Sequence, residues 1–500
     1  RRGAEAAALP LLTSEPGLLT ILINTQEARR SGGLGWRCCA ERRTPSSACV
    51  REERSSRRAV SAHWLTPLSP LRHSLLLLSL SFPASLSGLT WWVMLLMGLA
   101  AASAWGGGAT CGPPRATARM TSLFEKENPY VEQMVATARQ ISRRGYGILA
   151  ADESLVTAGK RLETIGLDNT VENRRAFREL LFTTPGLEKY ISGCILFDET
   201  MYQTTSGGER FVDILKRRGI LVGTKLDTGL RPIAGTHGET RTGGLDGLGD
   251  RVLNYRKEGA TFAKWRAVLH VGDGMPSERA IVENAMSLAR YAAICQEHGL
   301  VPIVEPELTL GPGDYSIERA AFESERILSH VFRALNDAQV IPEALLLKPS
   351  MVMPGLDATL DDDSPHLVAA YTARTLRRTV PPSIPGIHFL SGGMGAEETT
   401  RNLQLLQREY PEAPWIMSFS FGRALQDAPL KEWGGKPERV ALAQQLLLDL
   451  ARVNAEASTG EWNEVHPTPA SGSISAGRIL LPKLSYSSER KTPTAELFNW

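Results

Sequence analysis

The chain has 500 residues, 42% hydrophobic and 22% charged, enough apolar content for a large buried core. Its net charge of +2 hides a split, because residues 1–119 hold fourteen Arg and six Glu without Lys or Asp, a formal +8 that leaves the remainder at −6. An acidic body without a Lys/Arg stripe lacks the electrostatic footprint of a nucleic-acid binder and excludes that partner class.

Residues 1–122 read as an N-terminal extension. Within it an apolar run from Leu75 to Trp105 is broken by Pro83 and Gly88, and three readings stand: a membrane span, the apolar part of a targeting leader ending near Ala102-Ser103-Ala104, or a segment outside the natural mature protein. Met120-Thr121-Ser122 directly precedes the first globular-looking sequence, so a cytoplasmic protein starting there is the leading expectation and a plastid precursor the alternative. No membrane association is expected of the mature domain. Cys38, Cys39, Cys49 and Cys111 lie in or beside this basic segment, leaving Cys194 and Cys295 in the body with no CxxC spacing, which suits a reducing compartment.

From Asn128 onward short apolar runs alternate with longer amphipathic ones, the pattern of a parallel sheet with crossover helices. A helix is expected near Val131 to Arg143. Strands are expected over Gly147–Ala151, Cys194–Phe197, Leu221–Lys225, Phe262–Leu269, Val301–Val304, Ala344–Leu347, Ile387–Leu390 and Trp415–Phe419. Between them lie helical stretches such as Ser277 to His298, where Ile281, Ala285, Leu288 and Ala292 share one face and Gly299 supplies the stop. A last helix spans Pro437 to Ala457. Eight such strands predict a (β/α)₈ TIM barrel, an α/β fold, over residues 123–465, with residues 466–500 as a divergent tail.

In such barrels the chemistry sits at the carboxyl ends of the strands, so the polar residues ending each apolar run are the candidates. The first strand ends in Asp152-Glu153-Ser154, the third in Lys225 and Asp227, and the fourth carries Lys264 and Arg266. The fifth ends in Glu305 and Glu307, the sixth in Lys348, the seventh in Ser391-Gly392-Gly393, and the eighth in Ser420 with Arg423 beyond. Singly each is an ordinary solvated strand end. Together they would be desolvated in one mouth, which is costly unless they bind or catalyse. Three converging lysines suit Schiff-base chemistry, since a desolvated amine, or one beside another cation, loses its proton more easily and becomes a nucleophile. The nine histidines form no HxH or HExxH group, so no metal-ligand set is visible and no cofactor is expected. Gly392-Gly393, and Gly422 before Arg423, fall where barrels bind phosphate.

Seven strings carry a family resemblance: Gly147-Ile-Leu-Ala-Ala-Asp-Glu-Ser154, Gly243-Gly-Leu-Asp-Gly247, Phe262-Ala-Lys-Trp-Arg266, Val301-Pro-Ile-Val-Glu-Pro-Glu307, Leu346-Leu-Lys-Pro-Ser350, Phe389-Leu-Ser-Gly-Gly393 and Ser418-Phe-Ser-Phe-Gly-Arg-Ala-Leu425. In this order, across Asn128 to Trp462, the chain resembles the class I, Schiff-base fructose-bisphosphate aldolases. The resemblance implies a glycolytic or Calvin-cycle lyase that reversibly cleaves fructose 1,6-bisphosphate, a sugar-phosphate substrate, and that assembles as a homotetramer. It implies that Lys348 forms the imine, Glu305 moves protons during imine formation and release, Asp152 takes the hydroxyl proton, and Lys264 polarises the reacting centre, with Glu307 among the catalytic set. A protonated imine is itself an electron sink for the carbanion, so this chemistry calls for no metal.

The resemblance also implies that Ser391, Gly392, Gly393 and Arg423 cradle the phosphate beside the ketone. Lys225, Arg161 and Thr157 are implied for the far phosphate, and Arg266 and Ser420 complete the substrate set. Three departures stand out. Ser154-Leu-Val-Thr157 replaces the family's small hydroxyl-rich turn, Ala344 and Phe421 replace a glycine and a tyrosine, and after His466 the tail ends in Phe498-Asn499-Trp500 where the family has a terminal tyrosine. The tail predicts slower protonation of the carbanion with cleavage retained. The competing readings are another Schiff-base barrel enzyme of the transaldolase kind, and a barrel kept as a scaffold.

Overall fold

The computed structural model describes residues 128–309, 311, 313–358 and 364–469. The apolar run from Leu75 to Trp105 and the tail from residue 470 fall outside the described residues. Among the described residues ten strands follow in chain order: β1 Gly147–Ala151, β2 Ile191–Leu196, β3 Leu221–Lys225, β4 Leu230–Pro232, β5 Thr240–Thr242, β6 Phe262–His270, β7 Val301–Thr309, β8 Leu346–Leu347, β9 Gly386–Phe389 and β10 Ile416–Phe421. Eight of them close into a parallel barrel in the order β1-β10-β9-β8-β7-β6-β3-β2, while β4 and β5 form a separate antiparallel hairpin.

The eight expected strands are those of the barrel, with shifted ends. β6 and β7 pair through nine rungs from Phe262↔Val301 to His270↔Thr309, so β7 runs five residues past the expected Val304. β8 is shorter than expected, because Pro342 opens a 3₁₀ turn over Pro342–Ala344 and leaves Leu346–Leu347 to pair. The hairpin was not expected: its strands are three residues long, β4 is exposed throughout and ends in Pro232, and β5 buries only Thr242.

Side chains alternate across each strand, and this period of two sorts the molecule into an inner and an outer core. Ile148, Ala150, Ile195, Phe262, Val301, Ile303 and Leu346 form one cluster with Met134, Ala138 and Ile141 of helix Val131–Ile141, which therefore plugs the amino-terminal end of the barrel. Their neighbours Leu149, Cys194, Ala263, Trp265, Val304, Leu347 and Phe419 face outward and pack against the surrounding helices. Gly223 makes room inside the barrel, since a Cβ there would sit 2.2 Å from the Phe262 ring. Gly386 does the same at the plug, where a Cβ would lie 2.1 Å from Ser142 Oγ.

The outer layer follows ordinary helix rules. In helix Glu278–Glu297 the Ser277 side chain caps the Ala280 N–H, the expected face of Ile281, Ala285, Leu288 and Ala292 is buried, and Gly299 turns the chain at φ 77° beyond the C-cap His298. Helix Val440–Ala457 follows a 3₁₀ turn at Pro437–Arg439, matching the expected last helix. No described helix is long and apolar enough to cross a membrane. At the carboxyl end of the described chain, His466 is still buried, its ring edge-on to Trp462 and 3.3 Å from Thr400 Oγ1.

Candidate active site

The inner positions of the strands continue, rung by rung, from the apolar plug to the charged mouth. Ala150 leads to Asp152, Phe262 to Lys264 and Arg266, Ile303 to Glu305 and Glu307, and Leu346 to Lys348, each step two residues along. Burying so many charges is tolerable only if they pair, and they do. Lys264 Nζ lies 2.8 Å from Asp152 Oδ2 and 3.0 Å from Glu305 Oε2, while Lys348 Nζ lies 3.1 Å from Glu305 Oε1. Lys264, Glu305 and Lys348 are 3%, 3% and 4% exposed, so this chain of carboxylate, amine, carboxylate and amine is sealed from bulk water except through the mouth.

Burial by itself would raise the pKa of Asp152, but the positive charges of Lys264 and then Lys348 outweigh it and hold the carboxyl far below its usual range. Glu305 is treated likewise: burial opposes ionisation, and Lys264, Lys348 and Arg266 overcome it. Burial disfavours a charged Lys264, yet Asp152 and Glu305 hold its pKa well above that of a free lysine. The two carboxylates are thus ionised at neutral pH, and Lys264 is a fixed cation between them. Lys348 is anchored by its backbone, which donates to Val304 O at 2.8 Å.

Further along the rim, Lys225 Nζ pairs with Asp227 Oδ1 at 2.8 Å, and Arg266 Nε with Glu307 Oε2 at 2.5 Å. Ser391 is buried at the end of β9, and Gly392 and Gly393 follow with φ 57° and 109°. A Cβ on Gly393 would stand 3.5 Å from Arg423 Nη2, so the β9 turn and the start of helix Arg423–Trp433 meet there. Ser420 lies buried on the inner face of β10, opposite Ile148 of β1. Thr157 is exposed in the first turn of helix Leu155–Glu163, where its N–H donates to Ser154 Oγ.

Arg161 has different company from its expected partner Lys225. Its Nη1 lies 2.7 Å from Glu153 Oε1, and its Nη2 would lie 3.7 Å from a Cβ on Gly422, one residue before Arg423. Three neighbours of this corner were not foreseen among the site residues: Arg178, Gln426 and Asp427. Arg178 bonds Glu153, and Gln426 Nε2 donates to Glu153 Oε1 at 3.0 Å and to Ala150 O at 2.6 Å, tying helices to the end of β1. Burial pushes the Glu153 pKa up, but Arg178 and Arg161 bring it below the usual range. Arg178 carried a usable signal, being a charge within the apolar face of Phe177, Leu180 and Leu181.

The model of the family "Fructose-bisphosphate aldolase class-I" matches residues 133–476, a span that contains every residue of this mouth. The chain belongs to the class I fructose-bisphosphate aldolases. A cytosolic fructose-bisphosphate aldolase of Arabidopsis thaliana is 53% identical over 330 residues, covering 66% of this chain and 84% of the relative. The cytoplasmic isozyme of Spinacia oleracea is 52% identical over 333 residues, covering 67% and 92%. Among solved structures, fructose-bisphosphate aldolase from Plasmodium falciparum, in a complex with TRAP and a small-molecule inhibitor, is similar with a TM-score of 0.65 and 47% identity over 67% of this chain and 96% of that one. Membership of this aldolase family agrees with the closed eight-stranded barrel and with the order of the seven strings along it.

Proposed function

We propose that this aldolase-family chain reversibly cleaves fructose 1,6-bisphosphate to dihydroxyacetone phosphate and glyceraldehyde 3-phosphate, with Lys348 as the Schiff-base lysine. The observation that carries the reading is the Glu305 carboxylate held between the amines of Lys264 and Lys348, all three buried. A lysine beside an ionised carboxylate has an immediate acceptor for the proton it must lose before attacking a ketone. Glu305 Oε1, at 3.1 Å, is that acceptor, and it returns protons to the oxygen that leaves as water when the imine forms.

Asp152, ionised and 2.8 Å from Lys264, takes the hydroxyl proton whose loss breaks the adjacent carbon–carbon bond. The bonding pair flows into the protonated imine nitrogen, giving an enamine and releasing the aldehyde; protonation of the enamine carbon and hydrolysis then free the second product. Lys264 stays charged throughout and stabilises the oxyanion character that develops near it. Glu307 holds Arg266 in place at the rim. Ser391, Gly392, Gly393 and Arg423 receive the phosphate next to the ketone, with Ser420 beneath them. Lys225, Arg266, Thr157 and Arg161 supply the remaining polar contacts to the bisphosphate, and the packing of Arg161 beside Gly422 supports a role near the first phosphate as well.

Several of the relatives are named as cytosolic or cytoplasmic enzymes, which supports the same compartment here. We read the chain as an extension over residues 1–122, a catalytic barrel over 123–465 and a tail from 466, and the barrel as the protomer of a homotetramer. The test is steady-state cleavage of fructose 1,6-bisphosphate by the full chain and by Lys348→Ala with its circular dichroism unchanged. Cleavage by the wild type and its loss in the variant support the reading. A wild type that is inert, or trapped by borohydride only with transaldolase substrates, removes it.

A further inference from the structure

Asp427 sits one helical turn past Arg423, on the same face of helix Arg423–Trp433. Its Oδ1 lies 4.0 Å from Arg161 Nη1, the nitrogen that also faces Glu153 Oε1 at 2.7 Å. Arg161 in turn rests against Gly422. The two arginines of this corner are therefore divided unequally. Arg161 is committed to Glu153 and only loosely reaches Asp427, while Arg423 is exposed and is felt by Asp427 as a longer-range positive charge. Among the described residues no hydrogen bond joins Asp427 to a catalytic side chain.

We propose that Asp427 is a specificity-determining residue, a fixed carboxylate that competes with the substrate's phosphate for Arg161 and Arg423 and so weakens phosphate affinity without touching the reacting carbons. The proposal rests on the phosphate-cradle reading above. A phosphate seated on Arg423 and on the Gly393 turn approaches an anion that lies 4.0 Å from Arg161 and within electrostatic range of Arg423. Like charges raise the free energy of the bound state. The half-buried position limits screening by solvent, and burial holds the Asp427 carboxyl above the usual range against the pull of Arg161, Arg423 and Lys431, with Glu153 adding to the rise.

The experiment uses the full chain, fructose 1,6-bisphosphate as substrate and inorganic phosphate as competitive inhibitor. Asp427→Asn is expected to lower both KM and the inhibition constant for phosphate by roughly 2- to 5-fold, the range for a partly exposed charge pair, with kcat unchanged. The gain is expected to shrink as potassium chloride is raised. Asp427→Glu, which keeps the charge, should stay with the wild type, an outcome that a purely structural role for the side chain would not produce. An Asn variant with an unchanged or higher KM and phosphate constant overturns the proposal. Arg423→Ala separates the two levels of argument. If it weakens phosphate while Asp427→Asn tightens nothing, only the role of Asp427 falls; if it leaves phosphate binding untouched, the cradle itself is misplaced and the proposal falls with it.

Discussion

Replacing Glu305 by Gln removes one negative charge and almost no volume, from a point 3.0 Å from Lys264 and 3.1 Å from Lys348. Breaking a buried pair by deleting one partner costs about 3–5 kcal/mol in stability, because the opposite charge is left without compensation. Here Lys264 keeps Asp152 at 2.8 Å, so the lower end applies, about 3 kcal/mol, and Lys348 bears most of it. On the kinetic side the variant loses the group that takes and returns protons during imine formation, and positioned acid–base groups contribute about 10²- to 10⁴-fold. The assay pairs kcat for bisphosphate cleavage with the rate of borohydride trapping, and checks folding by thermal unfolding. Both rates are expected to fall by at least about 100-fold, with the folded state retained at a lower melting temperature. A Gln variant that cleaves and is trapped at wild-type rates would refute the assignment of Glu305 as the proton carrier.

Two further outcomes follow from the barrel floor. His388 is fully buried on the inner face of β9, with Nε2 3.1 Å from Ser142 Oγ. Burial pushes its pKa from 6.5 down to about 4, the Phe419 backbone opposes this, and the charge of Lys348 assists it. A histidine whose folded pKa is depressed is protonated first in the unfolded chain, so its stabilisation is complete above pH 6.5, declines as pH falls toward about 4, and changes no further below that. The span is on the order of 3 kcal/mol, and His388→Gln should flatten the pH dependence of unfolding free energy in that window; an unaltered slope contradicts the assignment. Gly386→Ala would place a methyl 2.1 Å from Ser142 Oγ and 2.7 Å from Ser142 Cβ, prising the plug helix from the barrel. A loss of about 1–3 kcal/mol in chemical denaturation is expected, and a neutral substitution would mean that the plug is not tightly seated.

Much of this architecture was legible because each barrel strand is a short apolar run closed by a polar group. Where that rule was diluted, the boundaries slipped. β7 continues through Glu305, Pro306 and Glu307 as inner and outer positions alternate, and hydropathy alone ends it at Val304. β8 keeps two residues because Pro342 commits the preceding backbone to a turn. The β4–β5 hairpin has no apolar alternation to read, its strands being three residues long and mostly solvent-facing.

The residues of the candidate site were legible at the strand ends, since Asp152, Lys264, Glu305 and Lys348 each sit two positions beyond an inward apolar side chain. The supporting corner was not. Arg178, Gln426 and Asp427 lie on helices, and Glu153, which pairs with the first two, is 25 residues from Arg178 and 273 from Gln426, a pairing that only closure of the barrel creates. The company of Arg161 was unreadable for the same reason, because its neighbours Gly422 and Asp427 come from the far end of the chain.

The claim on which the account stands is that the amine of Lys348, beside Glu305 in the barrel mouth, becomes covalently bound to a ketone. Borohydride reduction of the full chain in the presence of dihydroxyacetone phosphate, followed by peptide mass spectrometry, measures this directly. A single reduced adduct on the peptide containing Lys348, absent in Lys348→Ala, is the expected result. An adduct carried by Lys264 or Lys225 instead, or a wild type that captures no sugar phosphate at all, contradicts it.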